Sequence, residues 1–460
     1  MGGEWQTVRF ERLLAEPVRN GIYKSKEFHG RGAKIVNMGE LFAYPRLRAV
    51  PMKRVELSGS ENERFLLSKG DLLFARRSLV AEGAGKCSIV LDLDEPTTFE
   101  SSIIRARPDI AKAESLYLYY FFNSTLGLHC LDTIRRQVAV AGITGGDLSR
   151  LEIPVPSLTE QRAIAHILGT LDDKIELNRR MNETLEAIAR ALFKSWFVNF
   201  DPVRAKAEGR DPGLPQPIAD LFPDSFEESE LGEIPRGWRV GTVNDLAEIN
   251  AKTLSSADAF DVIDYIEISE VMRGEIGAIA RYDRGTEPSR ARRRLRHGDS
   301  VLSTVRPDRG AHFLCLNPRE TMIASTGFAV LSPRDGSWAF LYSALTRREI
   351  GEELGRLADG GAYPAIRSEA IGGLKVVVPN RADILSSFQK FAAPLLERTH
   401  QNRMAAKTLA ALRDTLLPKL ISGELRVKDA EGLVERAARE SEYRPAQINS
   451  NKHEQGIDHG

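Results

Sequence analysis

Four short stretches of this 460-residue chain carry residue types that do chemistry in enzymes. Gly83-Ala84-Gly85-Lys86-Cys87 has the glycines and lysine of a loop that cradles phosphates with backbone N–H groups. That pattern needs a glycine where Val80 stands and a Ser or Thr where Cys87 stands, so a turn before a strand from Ser88 is the better reading. Asn199-Phe200-Asp201-Pro202 has part of the Asn/Asp-Pro-Pro-aromatic element that would hold a flipped adenine for methylation, but the second proline is missing. Asp172-Asp173 pairs two carboxylates, which read as a solvated face flanking a helical seam. The 8 histidines and 3 cysteines (Cys87, Cys130 and Cys315) fall into no metal-ligand spacing and no disulfide framework. No catalytic residue, metal ligand or cofactor is therefore assigned to the chain.

What remains is residues suited to binding. The most basic segment is Arg290-Ala291-Arg292-Arg293-Arg294-Leu295-Arg296-His297, followed by Arg306 and Arg309. Arginines of this kind contact phosphates, and one or two of them could read guanine edges. Earlier in the chain Arg76, Arg77 and Lys86 lie near a Gly-Asp turn, and Arg135-Arg136-Gln137 leads into a loop from Val140 to Gly146 that contains Gly142 and Thr144. Its later counterpart runs through Tyr363 to Arg367; the glycines allow close backbone approach, and Tyr363 could stack or pack. Ordinary solvated surface is the competing reading of each cluster. The formal net charge of +0 argues weakly against a nucleic-acid partner without excluding one, because acidic surface elsewhere can balance a basic face.

These residues need a frame. With 42% hydrophobic and 28% charged residues the composition is that of a soluble globular protein of two to four domains. The unpaired cysteines suit a reducing cytoplasm, the start of the chain shows no signal pattern, and no apolar run is long enough to cross a bilayer. Residues 1–156 read as strands and turns with a helical patch at Ala113–Thr125. At Ser157-Leu158-Thr159-Glu160 the texture changes to a capping box. Ile164, Leu168, Leu171, Ile175, Leu185 and Leu192 then recur in threes, fours and their sums, which predicts a heptad helix over 157–200 of about 60 Å. A turn-rich linker is expected over 201–237, a second globular domain over 238–379, a second helix over 380–424 and a mobile polar tail over 425–460.

The order globular, helix, globular, helix reflects duplication. Asn178, Thr184, Leu185 and Ala187 map onto Asn402, Thr408, Leu409 and Ala411 with one constant shift. Gly70-Asp71-Leu72-Leu73 matches Gly298-Asp299-Ser300-Val301, and Leu151-Glu152-Ile153-Pro154-Val155-Pro156 matches Leu374-Lys375-Val376-Val377-Val378-Pro379. Two copies of a large unit predict an internal pseudo-twofold repeat with antiparallel helices. Asn178 and Asn402 then fall on seam positions, where a buried amide would fix the register, or at the seam edge in water. Phe193, Trp196 and Phe197 are candidates for docking a partner, or for anchoring the first helix to the second globular domain.

At this point the residues resemble a family. Leu158-Thr159-Glu160-Gln161-Arg162-Ala163-Ile164, Leu171-Asp172-Asp173-Lys174-Ile175-Glu176-Leu177-Asn178 and Phe197-Val198-Asn199-Phe200-Asp201-Pro202 look like the central conserved region of type I restriction–modification specificity subunits. Leu231-Gly232-Glu233-Ile234-Pro235-Arg236-Gly237-Trp238 resembles that family's entry to its second recognition domain, and Leu409–Leu425 its distal conserved region. The resemblance is strong in the helices and weak in the globular units. It implies an α+β fold, with two α/β target-recognition domains joined by two long antiparallel coiled-coil helices. Each domain would read one half of a split, asymmetric site in double-stranded DNA. The helices would space the halves and dock two modification (methyltransferase) subunits, which bind S-adenosylmethionine. Restriction subunits using ATP and magnesium would complete the assembly, with no membrane involved. The competing readings are a coiled-coil adaptor with two peptide-binding heads, the recognition part of another split-target restriction enzyme, and a stand-alone methyltransferase.

Overall fold

In residues 70–106 three short runs, Leu72–Ala75, Cys87–Val90 and Ile103–Ala106, are buried at every position and apolar but for Ser88 and the ion-paired Arg105. Strands without an inside–outside alternation must be covered on both faces, and these form the middle of a sheet. The computed structural model, which describes residues 5–78, 81–136, 141–358 and 364–442, places them in a five-stranded sheet. Its order is Arg19–Asn20, Ile103–Ala106, Leu72–Ala75, Cys87–Val90, Arg46–Leu47. The chain divides into two units, one of residues 1–176 with 405–460 and one of residues 177–404.

In the first unit, a three-stranded sheet (Lys53–Val55, His29–Val36, Thr97–Phe99) lies beside the larger one in sequence, and its last pair is parallel. The helix Ser115–Asn123 buries six consecutive residues from Tyr117 to Phe122. Phe122 meets Phe10 and Phe74 edge to face, with ring centroids 5.0 Å apart in both pairs. Gln6–Arg9 pairs antiparallel with Glu152–Val155 and closes the unit just before the first long helix. The Ser157 hydroxyl accepts from the Glu160 N–H at 3.3 Å, so the expected cap is in place.

The second unit repeats this arrangement. Ala247–Ile249, Phe328–Pro333, Asp299–Ser303 and His312–Cys315 form a sheet in the same order as the first four strands above. Val262–Ile266 and Met322–Ser325 repeat the parallel pair, and Arg239–Thr242 with Lys375–Val378 repeats the closing ribbon. Ala291–Arg294, the most basic stretch of the chain, has no counterpart among the described residues of the first unit and adds an antiparallel strand to Met322–Ser325. At the corresponding place in the first unit, the Leu67 N–H makes one bond, 2.8 Å, to the Thr97 carbonyl.

Both long helices have 40 residues, Leu158–Phe197 and Ala382–Ile421. They run antiparallel. In the first unit Ile164, Leu168 and Leu171 share a core with Leu416, Leu420 and Ile421. In the second unit Ala189, Phe193 and Trp196 share one with Ile384, Phe388 and Ala392. The expected class therefore holds: mixed helix and sheet, duplicated heads and a long helix pair.

Two expectations need correction. The span 201–237 is not a simple linker. It forms the helices Asp201–Ala207 and Gln216–Ala219 and a hairpin of Phe226–Ser229 with Gly232–Pro235. Phe200, Val203, Phe222 and Ile234 anchor this span in the second unit's core. Nor is the tail simply mobile and polar. Val427–Glu442 is a helix whose Ala430 is fully buried, and Leu425 and Val427 pack on the first unit's core. Residues 443–460 lie outside the described residues.

Candidate nucleic-acid interface

The first unit brings its basic candidates to one edge. Arg77–Ser78 pairs antiparallel with Ala141–Gly142, forming a small ribbon beyond the end of the central strand. The Ile143 N–H donates to the Arg76 carbonyl at 3.0 Å, and the Arg76 N–H donates to the Ser102 carbonyl at 2.8 Å. A Cβ at Gly142 would stand a tight 3.1 Å from the Arg76 carbonyl oxygen, so the glycine eases this pairing. Thr144 caps the helix Gly145–Arg150: its hydroxyl accepts from the Asp147 N–H and donates to the Asp147 carboxylate. These two residues shape the loop and are not themselves left for a ligand.

The arginines on this edge divide by what holds them. The Arg135 side chain is 12% exposed, donates to the Ala84 carbonyl and is ion-paired with Asp132. Arg136 pairs with Asp147 at 2.8 Å. That contact and the Thr144 bond hold the Asp147 carboxyl below the usual range, the threonine bond being the larger cause. Arg76 donates to the Ser101 carbonyl at 3.2 Å. Arg77 is exposed with no ion-pair partner among the described residues, and the Lys86 ammonium lies 5.9 Å from the Phe42 ring. Among the described residues, Arg76, Arg77 and Lys86 are thus the cations of this edge that no carboxylate neutralises, and Arg76 is held by a carbonyl. Gln137 lies outside the described residues.

The second unit builds the same edge with the same bonds. The Ile366 N–H donates to the Thr304 carbonyl at 2.8 Å, and Val305 bridges to Ala365. The Arg306 N–H donates to the Pro364 carbonyl at 2.8 Å. Thr304 stands where Arg76 does, and Arg306 where Ser78 does. Arg306 has a φ of 46° and opens the turn Pro307–Arg309, which Gly310 closes at φ 74°. Non-glycine residues rarely adopt that region, and such strain concentrates at binding edges. Arg309 and Arg367 are exposed on this edge, and the carbonyl of exposed Arg290 accepts from the Thr326 N–H at 2.8 Å. Arg296 is half-buried, its N–H donating to the Asp299 carboxylate. Arg292 reaches Glu287 at 3.7 Å, and Arg294 is ion-paired with Asp258 beneath the Phe260 ring. Tyr363 lies outside the described residues.

The nearby cleft of about 680 Å³ is lined in part by Arg273, Arg309, His312 and Tyr342. The Tyr342 hydroxyl is 3.2 Å from His312 Nδ1, and burial pushes the imidazole down to about 4, so it stays neutral at physiological pH. Among the described residues no group of His, Cys, Asp or Glu could hold a metal ion, and no helix is long and apolar enough to cross a membrane.

Three readings of the helices change. Asn402 is buried, but its amide donates at 2.9 Å to Asn182, whereas Asn178 is half-buried. Asn178 is the sequence equivalent of Asn402, while Asn182 corresponds to Ala406, so the duplicated positions did not point to the true pair. Phe193, Trp196 and Phe197 are at most 5% exposed and interlock with Trp238, Phe340 and Phe388. They anchor the first helix in the second globular domain, as one of the two expectations had it, and offer no surface to a partner. Asp172 is not solvated: it is 8% exposed, accepts from the Tyr120 hydroxyl at 2.6 Å and meets Arg413 at 2.6 Å, while exposed Asp173 pairs with Arg46 and Arg48. The link between Glu186 and Arg403, 2.7 Å, was also not foreseen, since nothing in the sequence separates it from surface charge.

A family model described as the type I restriction modification DNA specificity domain matches residues 5–187. The chain is 28% identical over 407 residues to the type I restriction enzyme HindI specificity subunit of Haemophilus influenzae, an alignment covering 78% of this chain and 87% of that one. It is 26% identical over 323 residues to the MjaIX specificity subunit of Methanocaldococcus jannaschii, covering 68% and 70%. Among solved structures, the type I restriction–modification S subunit from M. genitalium superimposes with a TM-score of 0.58 at 14% identity, covering 90% of this chain and 96% of that one.

Proposed function

We propose that this chain is a specificity subunit of a type I restriction–modification system, as its similarity to such subunits supports, and that its two units each read one half of a split DNA target. The chain is the non-catalytic, sequence-specific targeting component of its complex. The observation that carries the two-headed reading is the repeated edge: Ile143 on Arg76 in one unit and Ile366 on Thr304 in the other, each flanked by exposed arginine. One frame with two different sets of side chains is what a bipartite, asymmetric target requires.

In this reading Arg77, Lys86, Arg290, Arg306, Arg309 and Arg367 are the contacts of the two edges, with Arg76, Arg136 and Arg296 beside them. Arg135, Gly142 and Thr144 shape the first edge. The long helices set the spacing between half-sites and dock two modification subunits, which carry S-adenosylmethionine. Restriction subunits, using ATP and magnesium, join that assembly in the cytoplasm. The docking surface moves from the buried aromatics to Leu177 and Ile188, which are 58% and 49% exposed. Eleven residues apart, they share one face of the first long helix. Exposed Phe391 and Met404 offer further apolar surface on the second. No observation favours the peptide-binding adaptor.

The test is DNA binding by the chain assembled with its modification subunit. Replacing both Arg77 and Lys86 by alanine is expected to reduce the slope of log affinity against log salt by about one for each phosphate that is no longer neutralised. The half-site read by the second unit should keep its sequence. An unchanged slope would remove these two residues from the interface.

A further inference from the structure

Resting on the DNA-reading role above, we propose that Arg293 is the residue through which the second unit recognises a guanine. The strand Ala291–Arg294 carries three consecutive arginines. Glu287 and Asp258 take up Arg292 and Arg294. The pairing with Met322–Ser325 is irregular between Ala291 and Arg293, which makes Arg292 the extra residue and pairs Arg293 with Ala324.

There Arg293 is half-buried. Its Nε is fully buried with no hydrogen-bond partner, and no carboxylate forms an ion pair with it among the described residues. Burying a guanidinium nitrogen unpaired is unfavourable. Arg46, Arg105 and Arg403 share a buried, unpartnered Nε but are ion-paired through their terminal nitrogens, whereas Arg293 has no such pair among the described residues. Burial lowers the guanidinium from its ordinary value, and the Glu369 charge opposes this. Ser325, opposite Ala291 on this strand, leads through the bond from the Thr304 N–H to the Gly327 carbonyl into the edge that repeats between the units, and the strand has no counterpart among the described residues of the first unit. The fork still needs two acceptors in one plane. Guanine O6 and N7 supply that pair, and bidentate arginine is their usual reader.

The complete complex, with its modification subunit, is assayed for methylation on a library randomised across both half-sites. Arg293→Ala is expected to weaken preference for guanine at one position of one half-site by about tenfold or more, leaving the other half-site unchanged. Arg293→Lys keeps the charge but not the fork; it is expected to hold the salt dependence while losing the same preference, and it decides the matter if the alanine variant does not fold. R292A and R294A should keep the guanine. If R293A weakens binding equally on every sequence and flattens the salt dependence while each base preference stays, the contact is to phosphate and the assignment is wrong. If R293A and R293K keep every base while the wild type shows its split target, the Arg293 assignment alone falls. A wild type with no sequence preference overturns the DNA-reading role itself.

Discussion

Phe197→Ala is expected to destabilise the second unit by about 3–5 kcal/mol, the usual cost of removing a buried aromatic ring. The ring is 5% exposed. Its centroid lies 4.8 Å from that of Phe340, 5.1 Å from Phe388, 5.2 Å from Phe193 and 5.9 Å from Trp238. These neighbours come from both long helices, the head's own helix Trp338–Leu345 and the start of its closing ribbon. Alanine would leave a void bounded on every side by large rigid rings, which close poorly around it. Denaturant unfolding followed by tryptophan fluorescence measures the effect selectively. Of the 4 tryptophans, Trp196, Trp238 and Trp338 lie in this unit. An unfolding midpoint equal to wild type would show that the cluster is not packed as described.

Asp172→Ala is expected to cost the first unit about 3–5 kcal/mol, the effect of removing one member of a buried ion pair. The carboxylate accepts from the Tyr120 hydroxyl at 2.6 Å and from Arg413 at 2.6 Å, with Arg46 at 3.8 Å. Burial pushes the Tyr120 hydroxyl well above its ordinary value, and the nearby Asp172 charge adds to this. Alanine strands that hydroxyl and leaves the Arg413 guanidinium with exposed Asp414 alone. Asp173→Ala is the control: that residue is solvent-exposed, and its pairs with Arg46 and Arg48 are worth at most about 1 kcal/mol. Equal losses for the two variants, read by thermal unfolding, would contradict the burial assigned to Asp172.

The two long helices and the duplication were legible because their signals are local and repeated: a capping box at Ser157, apolar steps of three and four, and a constant shift between copies. The span 201–237 was misread for the opposite reason. Its prolines and glycines look like a linker, but Phe200, Phe222 and Ile234 are fixed by tertiary contacts that composition does not encode. Asp172 looked solvated because its partners, Tyr120 and Arg413, are 52 and 241 residues away. Asn178 was favoured over Asn182 because duplication pointed to it, and the helix pair departs from that symmetry at Ala406. The basic candidates were visible as residue types, but which of them carboxylates already occupy was not. Arg135, Arg292 and Arg294 are held by acids distant enough in the chain, or ambiguous enough in spacing, that only the fold reveals them.

The central claim is that one chain with two unlike heads directs modification to a split target. Mapping methylated adenines across the genome of cells that carry this gene with its modification partner, and of cells lacking only this gene, tests it directly. The account predicts one motif that depends on the gene, made of two different half-sites separated by a fixed gap of unspecified bases. A palindromic or continuous motif, or a methylation pattern unchanged by removing the gene, would contradict it.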